Sequence, residues 1–382
     1  MTKTQDNEII QEGKTEILVH KTKVSRKGPG TKDKKPFYNP AMELNRDISV
    51  LMSQWFIDLT RRHVYILDGL AASGINGIRL ANEVKGNFTV IINDWNKNAF
   101  FLIKKNIEYN RLKNAFASNE ELNILLSKNR YEYIDIDPFG SPAYFVDSAV
   151  RSITNNGLIA CTATDTAALC GVYPKTCIRR YGAKPLHSHV MHEVGLRILI
   201  GFICREAAKY DKGIEPMLCY YRDHYFRVYL KIKRGVRYAN RSISKISCVD
   251  PKKTSFTFSY KKFQGNNIGP LWIGRLHDKD IIKKLRDYLS EKDLNTRKTI
   301  WKLLDLFEEE ADGPIFFHTT EHIASKLKIS PPSMEKIFEK LCENGYNVRR
   351  THFSPTGFKT DASLDEIEEI FKRINRETKR GR

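Results

Sequence analysis

Hydrophobic and polar positions between residues 37 and 233 alternate in a way that predicts helices and strands in turn. Residues 43–59 place apolar side chains three and four positions apart, which is typical of an amphipathic helix. Apolar runs that predict strands follow, with helical segments between them. The predicted strands lie at 64–70, 88–95, 114–118 (a weak one), 131–138 and 157–164. This order predicts a doubly wound α/β sheet, in which ligands bind at the carboxyl ends of the strands.

The pattern changes in the second half of the chain. Residues 165–186 are predicted to be loops, 187–210 a long amphipathic helix, and two β-rich runs then flank Asp223. Beyond Lys233 the alternation stops, and residues 235–269 are polar, basic and strand-like.

Residues 318–360 have the order helix, short turn, helix and basic hairpin, which is typical of a winged helix-turn-helix. A small helical domain that packs on the first domain and contacts no nucleic acid explains the pattern equally well. We therefore predict a sheet domain over residues 1–235 and a smaller C-terminal α+β domain over residues 236–382.

Composition adds a class of partner to this picture. The 382 residues contain 64 Lys and Arg against 45 Asp and Glu, a net charge of +19, which indicates a polyanion such as nucleic acid or an anionic membrane. Charge alone does not exclude a basic protein that is merely soluble. The sequence has neither an apolar run of membrane-spanning length nor a signal-peptide pattern, which predicts a soluble cytoplasmic protein. Its seven cysteines include no CxxC pair, which argues against a zinc ribbon and a disulfide scaffold.

The first strand ends in LDGLAASG (67–74), where small residues would let the backbone approach a ligand closely. Asp68, Gly69, Ser73 and Gly74 belong to this turn. It lacks the G-x-G-x-x-G pattern, which disfavours a pyrophosphate ligand and hence a nicotinamide dehydrogenase.

The second strand ends in Asp94, about twenty residues later, at the spacing expected of a carboxylate that binds a ribose diol. A helix N-cap provided by Asp94 or Asn96 is the alternative. Acidic residues at the end of the third strand, among them Glu120 and Glu121, could accept from the amine of a base, although a helix N-terminus explains them nearly as well.

The string DIDPFGSP (135–142) carries the most specific chemistry. Asp135 and Asp137 share one face of a strand apolar enough to be buried, so they need a function or strong hydrogen-bond partners. A carboxylate at Asp137, the carbonyl of Pro138 and the ring of Phe139 together suit a planar base that bears an NH₂ group. A metal-binding acid pair is the alternative, but no further ligands lie nearby in the sequence.

DPFGSP, together with other strings, resembles the tRNA (guanine-N2-)-dimethyltransferase family. The strings run over most of the chain: EGKTEILV (12–19), FYNPAMELNRD (37–47), LDGLAASG (67–74), DPFGSP (137–142), CTATDTAALCGVYPKTCIRRYGAKP (161–185), HEVGLRIL (192–199) and GPLWIGRL (269–276). The resemblance implies a Rossmann-like class I methyltransferase sheet. It also implies transfer of one or two methyl groups from S-adenosyl-L-methionine to the N2 amine of a guanine in tRNA, at position 26.

The resemblance also implies roles for individual residues. Arg46 would hold the methionine carboxylate, Asp94 the ribose, and Glu121 with Leu122 the adenine. The full set of cofactor-binding residues is Arg46, Asp68, Gly69, Ser73, Gly74, Asn76, Asp94, Glu121 and Leu122. Asp137 would be the catalytic acid, with the Pro138 carbonyl beside it. Phe139 and Phe37 would sandwich the flipped guanine, with ordinary core packing as their alternative.

This chain departs from the family pattern in two places. Asn76 stands where many members have a second cofactor-binding arginine, and Arg79 could replace it. Only Cys248 remains where relatives carry a cysteine cluster before GPLW, so we predict no metal. His189 and His192 are spaced as a metal pair on a helix, but without a third ligand a structural role is favoured.

Two other functions stay open at this stage: an amino-methyltransferase that acts on another RNA base, and a winged-helix regulator that binds nucleic acid. The positive charge has candidate locations at residues 21–35, at 231–262 and near Arg349 and Arg350, where it would bind phosphates.

Overall fold

The computed structural model describes residues 7–20, 36, 38–250 and 267–380. The strands are β1 (Asn7–Glu12), β2 (Thr15–His20), β3 (Val64–Asp68), β4 (Phe88–Asn93), β5 (Ala115–Ser118), β6 (Tyr131–Ile136), β7 (Ile153–Ala163), β8 (Lys212–Arg222), β9 (Tyr225–Arg234), β10 (Ile246–Val249), β11 (Ile268–Trp272), β12 (His318–Thr319), β13 (Val348–Arg350) and β14 (Gly357–Thr360). The helices are α1 (Glu43–Leu59), α2 (Ile75–Glu83), α3 (Lys97–Tyr109), α4 (Leu122–Lys128), α5 (Ala143–Ser152), α6 (Thr166–Leu169), α7 (Pro174–Tyr181), α8 (Met191–Ala208), α9 (Val236–Ile243), α10 (Lys279–Glu291), α11 (Arg297–Glu310), α12 (Thr320–Leu327), α13 (Met334–Glu343) and α14 (Leu364–Arg380).

A seven-stranded sheet forms the centre of the molecule, with the order β5-β4-β3-β6-β7-β9-β8. The strands β3 to β7 are parallel, and β9 runs antiparallel to both β7 and β8. The predicted doubly wound α/β sheet is confirmed. Because the carboxyl ends of β3 to β7 share one edge, the candidate residues at the strand ends meet there.

Helices cover both faces of this sheet and bury its apolar side chains. On one face α4, α5 and α8 pack with Ile134 and Ile159 into a single core. On the other, α1 and α2 pack around Phe56, whose ring meets Tyr133 of β6 edge to face at 5.9 Å. Burying a side chain of this size contributes on the order of 1.5–3 kcal/mol, so strands with apolar residues on both faces are stable only between two helical layers.

Three segments differ from what the hydrophobic pattern predicts. Residues 165–186 contain the helices α6 and α7 in addition to loops, and the strand-like stretch from residue 235 begins with the helix α9. The hairpin β1–β2 was not predicted at all. These elements are short and polar on one side, so their periodicity is weak. The strand-like SFTFSY string at 255–260 lies outside the described residues.

The C-terminal residues contain the predicted helix, turn, helix and hairpin. The strands β12, β14 and β13 form a three-stranded antiparallel sheet against which α12, α13 and α14 pack. This part has its own small core around Ile337, Phe358 and Phe371. The earlier helices α10 and α11 instead share the core of α1. The boundary at residue 235 therefore stays a prediction. None of the helices in the described ranges is both long and apolar enough to cross a membrane.

Candidate active site

The turn after β3 is held to the neighbouring strand β6 and to the start of α2. Asp68 Oδ2 accepts a hydrogen bond from the backbone N–H of Gly77 at 2.8 Å. The backbone N–H of Gly69 donates to the carbonyl of Asp135 at 3.0 Å. Gly74, immediately before α2, has a φ of +83°, which favours glycine. Burial and the charge of Asp135 raise the pKa of Asp68 well above its usual value. The predicted small residues thus lie at the carboxyl edge of the sheet.

Asp94 lies at the same edge, at the end of β4, and both of its carboxylate oxygens are oriented by the backbone. Oδ2 accepts from the N–H of Ala72 at 2.8 Å, and Oδ1 accepts from the N–H of Asn96 at 2.9 Å. Asn96, not Asp94, caps α3, because its side chain accepts from the N–H of Asn98 at 2.8 Å. Burial raises the pKa of Asp94 despite the two N–H donors. Each oxygen keeps acceptor capacity, so the carboxylate can still receive two hydroxyl donors.

The acidic residues after β5 are engaged in local contacts. Glu121 caps α4: Oε2 accepts from the N–H of Ile124 at 3.0 Å, and Oε1 from the amide of Asn123 at 3.1 Å. The helix-capping alternative therefore describes this carboxylate, and its role toward adenine stays a prediction. Leu122 is buried beside the turn after β3. A Cβ on Gly69 would lie 2.9 Å from Leu122 Cδ1, so position 69 has no room for a side chain.

Two buried polar atoms beside this turn lack a partner among the described residues. They are Ser73 Oγ and Asn76 Oδ1. The other end of the Asn76 amide donates to Asp135 Oδ2 at 3.2 Å. Buried polar atoms are nearly always hydrogen-bonded, so these two atoms are available to hydrogen-bond a bound molecule.

Asp135 has a partner that the sequence analysis missed. Arg227 on β9 donates to Asp135 Oδ1 at 2.8 Å and to Oδ2 at 2.7 Å, and both side chains are about 1% exposed. The guanidinium also donates to Thr162 and Ser49 and lies over the ring of Tyr229. The sequence signal that could have predicted this pair is the lone Arg227 in the apolar run YFRVYL, because a charge in a buried strand requires a counter-charge.

Asp137 differs from Asp135 because it forms no ion pair with the described residues. Burial raises its pKa to about 6; Arg227 lowers the pKa and Asp135 raises it through their charges. Pro138 is buried, whereas the adjoining ring of Phe139 is 51% exposed. Asp135 lies near the end of β6 and Asp137 directly follows the strand, and only Asp135 is paired with an arginine.

Arg46 is paired within the protein. Its Nε donates to Glu12 Oε2 at 2.7 Å, and its Nη2 contacts Glu12 Oε1 and donates to the carbonyl of Asn39. The Tyr38 hydroxyl donates to the same Glu12 carboxylate at 2.7 Å. Burial raises the pKa of Glu12, but Arg46, Arg79 and Tyr38 together outweigh it and the net shift is downward. Only Nη1 of Arg46 has no partner in the described residues, so its proposed bidentate contact with a cofactor carboxylate would require Glu12 to move. Phe37 lies outside the described residues.

Arg79, considered as a substitute for the arginine missing at Asn76, is fully buried. Its guanidinium pairs with Asp47 at 2.7 Å, with Glu83 at 2.9 Å and with Glu12 at 3.3 Å. These three partners occupy its donors, so Arg79 acts inside the protein and holds the β1–β2 hairpin against α1 and α2.

The two histidines considered as a metal pair face different neighbours. His189 stacks on His322 with ring centroids 4.0 Å apart, and His192 stacks on Tyr221 at 3.8 Å. The structural role favoured for them is consistent with these contacts: His189 joins the residues before α8 to α12, and His192 joins α8 to β8.

One other cluster in the described part of the chain has metal-like spacing: His277, Glu310 and His352. His352 Nε2 accepts from the N–H of Tyr221 at 3.2 Å, which leaves the proton on Nδ1, and this N–H donates to Glu310. A proton therefore occupies the position that a metal ion would need. Glu310 also accepts from Thr351 at 2.6 Å, so the cluster joins α11 to the residues before β14.

Comparisons with known proteins agree with this geometry. A family model described as N2,N2-dimethylguanosine tRNA methyltransferase matches residues 13–372. The tRNA (guanine(26)-N(2))-dimethyltransferase of Pyrococcus horikoshii is 39% identical over 96% of this chain and 98% of its own length. That of Methanocaldococcus jannaschii is 40% identical over 88% of this chain and 92% of its own. The structure of Trm1 from Pyrococcus horikoshii with S-adenosyl-L-methionine superposes with a TM-score of 0.84, at 37% identity, and covers 95% of this chain and 99% of that one.

Proposed function

The chain belongs to the N2,N2-dimethylguanosine tRNA methyltransferase family, and from this premise we propose how its own residues carry out the reaction. The enzyme transfers methyl groups from S-adenosyl-L-methionine to the exocyclic N2 amine of a guanine in tRNA. The names of its relatives give guanine 26 as the target, and we assign the same nucleotide here. Because its substrate is tRNA, we place the enzyme in the cytoplasm.

One observation carries the assignment of catalytic groups: Asp135 in β6 and Asp137 directly after it have different partners. Arg227 neutralises Asp135, so that carboxylate is structural. Asp137 has no ion pair in the described residues and is followed directly by the exposed ring of Phe139. A carboxylate and an aromatic face side by side are what recognition of a guanine amine requires.

The edge of the sheet suits the cofactor. Ser73 Oγ, Asn76 Oδ1 and the oriented carboxylate of Asp94 would hold it. When bound, S-adenosyl-L-methionine supplies an electrophilic methyl group on a sulfonium ion. We assign Asp94 to the ribose hydroxyls and Leu122 to packing against the adenine.

Asp137 acts on the amine. The lone pair of guanine N2 is delocalised into the ring, which makes the nitrogen a poor nucleophile. The carboxylate of Asp137 and the carbonyl of Pro138 would each accept an N–H, orient the lone pair and stabilise the positive charge that develops as the N–C bond forms. Asp137 can then take the proton that the amine loses. Phe139, with Phe37, would stack on the base once it leaves the tRNA helix.

The pH dependence of turnover should report Asp137. Its pKa of about 6 means that the accepting, ionised form is lost as the pH falls through 6. We expect kcat at saturating substrates to be half-maximal near pH 6 and to fall roughly tenfold per pH unit below that. Methylation rates between pH 5 and 8.5, with cofactor affinity measured in parallel as the control, check this. A kcat that stays level down to pH 4.5 would contradict the role of Asp137.

Asp94→Asn should weaken cofactor binding. The substitution removes the charge that accepts the ribose hydroxyls and turns an NH₂ group toward one of the two N–H donors, Ala72 or Asn96. Losing one or two charge-assisted hydrogen bonds raises the Kd for S-adenosyl-L-methionine roughly 10- to 100-fold. Isothermal titration calorimetry measures this, with Glu108→Gln on the exposed face of α3 as the charge-matched control. Equal affinities in the two variants would remove Asp94 from the site.

The remaining part of the proposal concerns binding of tRNA. We assign residues 236–382 to the tRNA-binding domain and the basic hairpin at Arg349 and Arg350 to phosphate contacts. Arg349 donates to the carbonyl of Glu309 and Arg350 lies 3.8 Å from Glu335, so both arginines are partly engaged already.

Incubation with labelled cofactor and tRNA transcripts that carry single guanine substitutions tests the function as a whole. Loss of labelling with one substitution names the target, and nucleoside mass spectrometry should show N2,N2-dimethylguanosine.

A further inference from the structure

The helix α7 is held tightly against the loop that follows Asp137. The hydroxyl of Ser141 bonds to the hydroxyl of Tyr181 at 2.7 Å, and Tyr181 donates to Asp165 Oδ1, also at 2.7 Å. On the same loop, the N–H of Gly140 donates to Thr164 Oγ1 at 2.7 Å. The contacts of Tyr181 fix the C-terminal end of α7 beside the loop that follows Asp137.

The outer face of α7 combines apolar and basic side chains. Lys175, Ile178 and Arg179 are exposed and lie three and four positions apart, on one side of the helix. At its N-terminal end Tyr173 is 61% exposed. These groups are next to a buried core, yet none of them contributes to it.

A second tyrosine lies near the other end of the helix. Tyr144, in the first turn of α5, is 66% exposed and interacts with Arg180 near the end of α7. Arg180 is itself paired with Asp165 at 3.0 Å. We call the surface made by Tyr144, Tyr173, Lys175, Ile178 and Arg179 the α7 platform.

The charge of this region identifies the kind of partner. Residues 166–192 contain no aspartate or glutamate but include Lys175, Arg179, Arg180 and Lys184. The nearby carboxylate of Asp165 is already neutralised by Arg180. Exposed aromatic rings between cations, without acids, match single-stranded or unstacked nucleotides, which offer flat faces and phosphates.

We propose that the α7 platform binds the nucleotides of tRNA that adjoin the target guanine, by stacking on Tyr144 and Tyr173 and by phosphate contacts at Lys175 and Arg179. This inference rests on the proposed function. When the target base leaves its helix, the neighbouring bases lose a stacking partner. Aromatic side chains beside the entrance replace that partner and hold the flanking strand while Asp137 engages the amine.

Single substitutions test the stacking. Tyr173→Ala and Tyr144→Ala should each raise the KM for tRNA about tenfold, within the range that stacking of one base contributes. We expect kcat to change less and the Kd for S-adenosyl-L-methionine to be unchanged. Tyr173→Phe and Tyr144→Phe keep the ring and should retain wild-type KM. Phe101→Ala removes an exposed aromatic ring on α3 and serves as the matched control.

A second measurement addresses the phosphates. Each phosphate contact contributes about 0.7–0.9 to the slope of log affinity against log salt. The double substitution Lys175→Gln with Arg179→Gln should therefore reduce the slope for tRNA by about 1.4–1.8. The fluorescence of 2-aminopurine placed beside the target guanine should also be less quenched by Tyr173→Ala than by the wild type.

The outcomes separate this inference from the proposed function. If wild-type protein forms dimethylguanosine in tRNA but both tyrosine-to-alanine variants keep the wild-type KM, the platform is overturned and the function stands. If the wild type forms none, the function fails and the platform fails with it. A tenfold rise in KM for Tyr173→Ala and Tyr144→Ala, with normal KM in the phenylalanine variants and in Phe101→Ala, supports the platform.

Discussion

Asp137→Asn should reduce methyl transfer at least 100-fold at pH 8 and at the same time make the protein more stable. The loss of turnover follows because an amide cannot accept a proton from the guanine amine, and a positioned general base typically contributes 10²- to 10⁴-fold. Cofactor affinity should remain normal, since Asp94 and the turn after β3 are untouched.

The gain in stability follows from the direction of the pKa shift. Folding raises the pKa of Asp137 from 3.8 to about 6 because the buried site disfavours the charge. A carboxyl whose folded pKa is raised costs no stability below pH 4. It becomes increasingly unfavourable as the pH rises from 4 to 6 and carries its full cost above 6. That cost is about 1–3 kcal/mol, and the neutral asparagine removes it.

Chemical denaturation at pH 4 and at pH 8 measures this effect. Asp137→Asn should stabilise the protein at pH 8 and have little effect at pH 4. Asp135→Asn is the matched control and should do the opposite at pH 8, because it leaves Arg227 buried without its counter-charge. If Asp137→Asn kept wild-type turnover, the catalytic assignment would be wrong, whatever its stability.

The sequence predicted the parts of this site that lie directly at the ends of clearly apolar strands. The small residues of 67–74 and the acid at the end of β4 follow strands whose apolar runs are clear, and parallel strands place their carboxyl ends together. Asp94 therefore lies where its spacing indicated. The prediction for Glu121 could not separate a helix cap from a ligand contact, because a cap and a base-binding acid use the same carboxylate at the same position.

Contacts between distant segments could not be predicted in this way. Arg227 lies 92 residues from Asp135 in the sequence. The two side chains meet because the fold places β9 next to β7, which in turn lies next to β6. Similarly, Glu12 reaches Arg46 through a short polar hairpin whose pattern predicts nothing about its position. Family resemblance supplied a role for Arg46 without showing that its guanidinium fork already holds a carboxylate.

Arg227→Met should have the largest effect on stability of any single change at this site. It removes one partner of a fully buried ion pair and leaves the Asp135 carboxylate without its counter-charge, which typically costs about 3–5 kcal/mol. Urea denaturation followed by circular dichroism measures the loss. Arg227 also lowers the pKa of Asp137, so in any folded fraction the acid limb of kcat should move to higher pH.

The double variant Arg227→Met with Asp135→Leu distinguishes a lost attraction from an uncompensated charge. Replacing both members of a buried pair by apolar side chains of similar size is often neutral, so the double variant should recover most of the stability that the single variant loses. Asn76, Thr162 and Ser49 each lose one hydrogen bond in exchange, at about 1 kcal/mol each, so recovery stays incomplete. If the double variant were as unstable as Arg227→Met, the uncompensated charge would not be the source of the loss. If Arg227→Met itself unfolded at the wild-type urea concentration, the pair would contribute nothing to stability, and Asp135 would need another explanation for its burial.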